Sequence, residues 1–437
     1  MRNLKPNEIF KLAKAFVKGN KTLKQSPFWS RDKMISWQFE RVKALVRHAY
    51  YNVEFYRRLY DNVSFNPSDL KTWEDFNKLP IVKKEDVINN YPDKILQKGI
   101  DIENLIVSRS SGSSGKVLDI AYDSAAFTTY ILAAMRLYRM GFKYKPWHKQ
   151  VYIYTSPYPM RSLLGMYPLI FVSTLTAIDE VIKILRKHNP ELIVCYPSHL
   201  KQIAFEMKSE DRDKIRPKAI SVNSEMSTQK ERNELADFFE CPVLDEYSSE
   251  ELTRIAAQCY NKTYHIFEDI NYMETLDDNG KPTAATGILT GTNLHNLAMP
   301  MIRYQQNDLG QIVDENCSCG WKFRKLKKLQ GRKNDSFILP SGKILTSGFL
   351  LDLTYDFLLE DRTAVLDFCL IQQEKNKIVL EIVKGKGWGN FVAEKIKNKF
   401  NDFLEEDVNF CVKVVNECTK TKTGKRNPII NLSNRQK

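Results

Sequence analysis

The stretch AIDEVIKILRK (177–187), closed by Asn189-Pro190 and followed by the apolar runs LIVCY (192–196) and AISV (219–222), decides the fold. In the first segment apolar residues recur at helical spacing, and Asn-Pro ends a helix because proline cannot continue the backbone ladder. The two later runs are short enough for strands, and Val151–Thr155 is a similar run upstream. Short apolar runs that alternate with helical patterns predict an α/β architecture: a mainly parallel sheet flanked by helices.

Working outward, Ile35, Phe39, Val42, Leu45, Val46 and Ala49 recur every three or four residues, which predicts an amphipathic helix within 28–60. Residues 265–312 carry strand and turn signals, with Asp278-Asn279-Gly280 and Gly287 as breakers, and predict a β-rich subdomain. The pattern resets after Gly331. Strands over 364–372 and 377–383 flank a Glu374-Lys375-Asn376 turn, a helix covers 389–404 and a last strand covers 408–415, making a small α+β unit. The expected division is therefore a large domain over 1–330 and a small one over 331–437, and 437 residues are enough for both.

Composition narrows the function classes. With 43% hydrophobic and 27% charged residues the chain is neither disordered nor fibrous. Its longest apolar-leaning stretch, 167–178, falls short of the roughly 20 residues a membrane span needs. Residues 1–24 lack a continuous apolar core and a small-residue cleavage site, and the eight cysteines show no small-scaffold spacing, so a cytoplasmic protein with reduced thiols is expected. The formal charge of +13 suits anionic small molecules, whereas the lysines form no aromatic-interleaved stripe, and nucleic acid is not expected as a partner.

The segment SRSSGSSGK (108–116) packs hydroxyls, glycines and a lysine together, as a loop surrounding phosphate oxygens requires. It departs from the P-loop, because Gly112 and Gly115 are two residues apart and Val117 follows Lys116. Further along come NSEM (223–226), YSSEE (247–251), PMIRYQQND (300–308), GRKND (331–335) and TKTGK (421–425). In this order the segments resemble the motifs of the adenylate-forming ligases. The segments ERVKALVRHA (40–49), FYR (55–57) and LPIVK (79–83) are most similar to the phenylacetate-coenzyme A ligase branch, which includes members encoded in capsular-polysaccharide loci.

That resemblance implies ATP-dependent activation of a small carboxylic acid as its acyl-adenylate, then transfer to coenzyme A or another acceptor. Ser110, Ser111, Gly112, Ser113, Ser114, Gly115 and Lys116 would bind the phosphates. Ser224 and Glu225 lie in the adenine-contacting turn, and Tyr247 opens the motif that contains the Mg²⁺-holding glutamate. Glu251 matches that glutamate, with a slip to Glu250 left open; a hard oxygen ligand suits Mg²⁺. Asp308 would take both ribose hydroxyls, because only an ionised carboxylate offers two acceptors side by side. Arg332 would contact the nucleotide at a hinge whose pivot is Asn334 or Asp335, about which the small domain moves. Lys425 would bring a point charge to the α-phosphate. Ser248, Glu250, Asn307 and Asn334 depart from the commonest pattern, which leaves a silent nucleotide-binding homologue as one alternative; an adenylyltransferase acting on a hydroxyl, as in deazaflavin adenylation, is another.

Cys259, His265, Cys317 and Cys319 supply the ligand types of a closed tetrahedral zinc site. The two halves lie about fifty residues apart and meet only if the β-rich region folds back on itself. Otherwise they are ordinary core residues. The remaining cysteines show no partner spacing, and the absence of Gly-x-Ser-x-Gly gives a serine-hydrolase triad no support.

Overall fold

A computed structural model of the protein describes residues 21–109, 117–155, 166–358, 363–389, 391–420 and 426–433. The predicted phosphate loop (110–116), Lys425 and the segment 421–424 before it lie outside them. The chain forms two compact units, Met1–Tyr144 with Glu246–Lys328, and Lys145–Asp245 with Leu329–Lys437. The C-terminal segment thus shares a unit with the α/β stretch, and one boundary of that division falls between Lys328 and Leu329.

In the first unit the expected amphipathic helix is Arg31–Asn52, opened by the Ser30 hydroxyl accepting from the Lys33 N–H, and a second helix, Glu54–Asp61, follows. Val42, Leu45, Val46 and Ala49 of the expected stripe are buried, but at the N-terminal end Met34 and Gln38 are inside while Ile35 is exposed. Gln38 is the reason. Its amide donates to the carbonyls of Glu268 (2.6 Å) and Asn271 (3.3 Å), so a polar side chain is satisfied on the inner face.

The β-rich region is a run of antiparallel strands in the spatial order Asn271–Leu276, Gly287–Asn293, Tyr304–Val313, Lys325–Lys327, Tyr264–Ile266, Thr253–Gln258, and then the end of Val243–Ser249. The Asp278-Asn279-Gly280 breaker is a hairpin turn in which Gly280 has φ +77°, a conformation glycine adopts without a Cβ penalty. Strands Ile106–Arg109 and Asp119–Tyr122 pair antiparallel and flank the predicted phosphate loop; Arg109 closes their base onto Asp119 with bonds of 2.7 and 3.1 Å.

In the second unit Leu169–Ser173, Gln150–Tyr154, Leu192–Cys195 and Ala219–Asn223 lie side by side and parallel, as the opening stretch predicts. Helix Ile178–His188 ends at Asn189 with φ +38° ahead of Pro190. The C-terminal part holds a four-stranded sheet in the order Asn409–Val415, Lys377–Lys384, Val365–Glu374, Ile429–Asn431, the last strand being one the sequence pattern does not signal. Helices Ser347–Leu358 and Val392–Leu404 share its apolar core around Phe368, Leu380, Ile382 and Phe400. Among the described residues no helix is long and apolar enough to cross a membrane.

Candidate active site and candidate metal centre

The YSSEE motif forms the tip of a hairpin between strands Val243–Ser249 and Thr253–Gln258. The two adjacent glutamates part there. Glu251 points inward at 8% exposure, and the Tyr304 hydroxyl donates to its Oε1 at 2.9 Å. Glu250 stays exposed, accepts from the Ser108 hydroxyl at 2.5 Å, and its backbone carbonyl accepts from the Tyr122 hydroxyl. Ser108 closes the strand that leads into the predicted phosphate loop.

Tyr247 donates its hydroxyl to Asp308 Oδ2 at 2.6 Å, which joins two of the predicted motifs. Asp308 lies in an irregularity of strand Tyr304–Val313: Ile288 pairs with Leu309 but Thr290 pairs with Gln305, so Gln306, Asn307 and Asp308 stand opposite one residue. Asn307 has φ +62° at that bulge. Glycine or asparagine is what such a position tolerates, which accounts for Asn307 standing where glycine is usual. Upstream, Arg303 is wholly buried, forms a two-bond pair with Glu274 (3.0 and 3.2 Å) and donates to the Leu79 carbonyl at 2.6 Å, so the segment is tied down just before its functional residues. Glu274 and Tyr122 went unnoticed in the sequence; Arg303 and Tyr304 lay inside a quoted motif without a role.

In the second unit Ser224 has φ +66° just past the end of strand Ala219–Asn223, and the end of a parallel strand is where open α/β sheets place ligands. Tyr154 and Tyr152 stack with ring centroids 4.1 Å apart, and Tyr154 packs against Tyr196 at 4.7 Å. Glu225 accepts from the Ser198 N–H (3.2 Å) and the Arg426 N–H (3.4 Å). Burial pushes its carboxyl above the ordinary value, against the pull of Ser198 and Arg426. Gly331 has φ +69°, and a Cβ there would lie 2.4 Å from Ser347 Oγ and 2.7 Å from Met226 Cε, so the residue must be glycine. Arg332 is exposed, Lys333–Asp335 forms a single 3₁₀ turn, and Asp335 accepts from Asn427 at 3.2 Å.

Cys259, His265, Cys317 and Cys319 come together in the first unit, their donor atoms all within 4.8 Å of one another. Strand Lys325–Lys327 pairs with Tyr264–Ile266, and this fold-back brings the Cys317–Cys319 connection over the Cys259 turn. The Cys259 and Cys317 sulfurs are 3.8 Å apart, far from a disulfide and close to the edge of a tetrahedron with metal–sulfur bonds of about 2.3 Å. His265 Nε2 lies 3.3 Å from Cys319 Sγ, while its Nδ1 meets the Phe323 carbonyl at 3.2 Å, which fixes the tautomer with Nε2 free to ligate. Burial also lowers the imidazole's pKa and keeps it neutral, the form that binds metal. The residues fit a zinc ion.

The architecture has the fold of the adenylate-forming ligases. A 2-hydroxyisobutyryl-CoA ligase in the postadenylation state superposes with TM-score 0.79 at 17% identity, covering 93% of this chain and 91% of the other. An anthranilate CoA ligase with anthranoyl-AMP gives 0.54 at 12% identity, over 75% and 67%. By sequence the chain's relatives fall in the phenylacetate-coenzyme A ligase branch. The enzyme of that name from Aromatoleum evansii is 28% identical over 352 residues (71% of this chain, 73% of the relative), and that of Thermus thermophilus 26% over 328 (71% and 72%). Protein CapK of Staphylococcus aureus is 24% identical over 417 residues, 90% of this chain and 88% of its own. No family model matches.

Proposed function

We propose that the protein is an AMP-forming acid ligase, which activates a small carboxylic acid as its acyl-adenylate and passes the acyl group to coenzyme A or a comparable acceptor. The observation that carries this reading is the pair of phenol–carboxylate contacts, Tyr247 to Asp308 and Tyr304 to Glu251. A phenol donates a hydrogen bond that orients a carboxylate without supplying a counter-charge. Asp308 would accept from the ribose hydroxyls. Glu251 would hold Mg²⁺, which supplies positive charge against the phosphates, and Glu250 beside Ser108 would face the phosphate loop.

A substrate carboxylate is already ionised near neutral pH, so attack on the α-phosphorus needs no general base. The bond from carboxylate oxygen to phosphorus forms as the bond to pyrophosphate breaks. Ser110 to Lys116 would receive the departing charge, Arg332 would contact the nucleotide, and Lys425 would stabilise the charge gathering at phosphorus. Movement about Gly331 to Asp335 would then withdraw Lys425 for the transfer step, making residues 331–437 the mobile domain.

The four-donor cluster would hold a structural zinc, remote from the chemistry. The likeness to CapK supports a role in surface-polysaccharide biosynthesis, and the thiols without disulfides support a cytoplasmic setting. ATP–pyrophosphate exchange across aryl, aliphatic and amino acids, with Lys425→Ala as control, tests the reading. Exchange with one acid, trapped as its hydroxamate and lost in the variant, is the expected outcome. A stable AMP ester formed on a hydroxyl compound would replace it with hydroxyl adenylylation.

A further inference from the structure

The hairpin that carries Glu251 and the bulged strand that carries Asp308 meet through side chains at three points. The Tyr247 hydroxyl donates to Asp308 Oδ2 at 2.6 Å, Gln306 Nε2 donates to Ser249 Oγ at 3.0 Å, and the Tyr304 hydroxyl donates to Glu251 Oε1 at 2.9 Å. Residues 247, 249 and 251 thus meet 308, 306 and 304: every second residue on each segment, running in opposite directions. The two-residue alternation of extended chain makes such a ladder. In the sheet, strands Lys325–Lys327, Tyr264–Ile266 and Thr253–Gln258 stand between Tyr304–Val313 and Val243–Ser249. Among the described residues, side chains and not backbone ladder bonds therefore join the two segments.

The middle rung is the unusual one. Its neighbours each engage an acid with a proposed ligand, whereas Gln306 and Ser249 are both neutral and half-buried. Ser249 Oγ accepts a second bond, from the Leu252 N–H at 3.1 Å, which ties the rung to the backbone of the turn that carries Glu251. Gln306 stands in the bulge with Asn307 and Asp308. One amide–hydroxyl bond therefore links the turn of one acid to the bulge of the other. The ribose and the phosphates of a nucleotide are parts of one molecule, so the two acids have to be held at one spacing, and a small misplacement of such groups costs rate.

We propose that Gln306 and Ser249 are positioning residues that set the spacing between Asp308 and Glu251, so that the ribose and the metal-bound phosphates are engaged together. The roles of the two acids rest on the acid-ligase reading, and the rung itself rests on the geometry alone. Its effect falls on adenylation, where both acids are occupied at once. It does not fall on transfer, because the acyl-adenylate no longer carries the β- and γ-phosphates. Both residues lay inside quoted motifs without a role.

Gln306→Ala and Ser249→Ala in the full-length chain test it. In ATP–pyrophosphate exchange each should lower kcat about tenfold with the KM for the acid unchanged, while thioester formation from synthetic acyl-adenylate stays within about twofold of wild type. Equal loss of both steps would show a merely structural role and overturn the proposal. The Gln306→Ala/Ser249→Ala double variant should be no slower than Ser249→Ala alone, because both changes remove the same bond; losses that multiply to about a hundredfold overturn the rung. Ser249→Thr keeps the hydroxyl and should recover most of the rate that Ser249→Ala loses, and no recovery counts against the bond. Hydrogen–deuterium exchange reads the rung without turnover. Amides of 250–253 should exchange several-fold faster in Gln306→Ala, and unchanged exchange there overturns the hold. A wild-type chain inert in pyrophosphate exchange defeats the acid-ligase reading, and the amide-exchange arm still decides the rung.

Discussion

Two sets of acids in the first unit are held in opposite ways. Glu268 is fully buried and takes two bonds from Arg31 (2.7 and 2.9 Å), one from Arg324 Nε (2.7 Å) and one from the Arg324 N–H (2.9 Å); Asp269 beside it is paired with Arg136 and with the Ser26 hydroxyl at 2.5 Å. Burial alone would raise the Glu268 carboxyl, but Arg324 and Arg31 outweigh it and hold it below the ordinary value. Glu251 and Asp308 instead lean on tyrosines. The contrast separates architecture from function: an arginine-answered acid has its charge balanced within the fold, whereas the phenols that reach Glu251 and Asp308 orient a carboxylate without a counter-charge of their own. The thiol cluster belongs to the second kind, since its counter-charge would have to come from a metal.

The largest effect should come from that cluster. The purified protein is expected to contain about one zinc per chain by metal analysis. Cys317→Ala/Cys319→Ala should lose it and destabilise the first unit by on the order of 5 kcal/mol or more in denaturant unfolding, because metal-binding energy is folding energy here. A metal-free protein of undiminished stability would break the parallel.

Next, Glu251→Gln should lower ATP–pyrophosphate exchange by about 10³-fold, roughly 4 kcal/mol at the transition state, with little loss of stability. Glu250→Gln, on an exposed side chain, should do less, and the reverse order would transfer the metal-holding role to Glu250. Glu268→Gln should show the opposite signature: a stability loss of about 3–4 kcal/mol, from leaving two arginines without their acid, with kcat of the folded fraction retained.

A smaller effect lies in pH. His295 bonds through Nε2 to the Asp269 carbonyl (2.7 Å) and sits 3.3 Å from Arg41, and burial followed by that arginine lowers its pKa to about 4. The folded state therefore favours the neutral imidazole. Stability from this residue is fully present above the unfolded value of about 6.5 and declines as pH falls toward 4, by roughly 3 kcal/mol in all. His295→Gln should flatten that part of the stability profile. The smallest effect is Tyr247→Phe, which should weaken ATP binding by about 1 kcal/mol, seen as a several-fold rise in KM with kcat nearly constant, since it removes one neutral hydrogen bond to Asp308.

Much of the architecture was legible because it is local. The helix ending at Asn189-Pro190, the parallel runs after it, the turn at Gly280 and the C-terminal hairpin all follow from spacing and turn chemistry within a few residues. Only the start of the first long helix differs from its expected stripe, because Gln38 looks polar in sequence and only its distant carbonyl partners make it an interior residue. Strand Ile429–Asn431 was missed because three residues carry no periodicity of their own; its parallel partner Leu370–Gln372 supplies it.

The same division holds for the candidate site. The sequence by itself determined which residue types are present and in what order: the serine-rich loop, the acids of YSSEE and PMIRYQQND, Gly331, Lys425 and the Cys/His set. Only the tertiary structure decided which of two neighbouring glutamates turns inward, which acids meet a phenol and which an arginine, and that Gln306 reaches Ser249. The physical reason is range. Backbone propensity is set by neighbours along the chain, while the state of a charge is set by whatever group lies within a few ångströms of it, and the partners of Glu251, Asp308, Glu268, Asp269 and His295 come from 26 to 254 residues away.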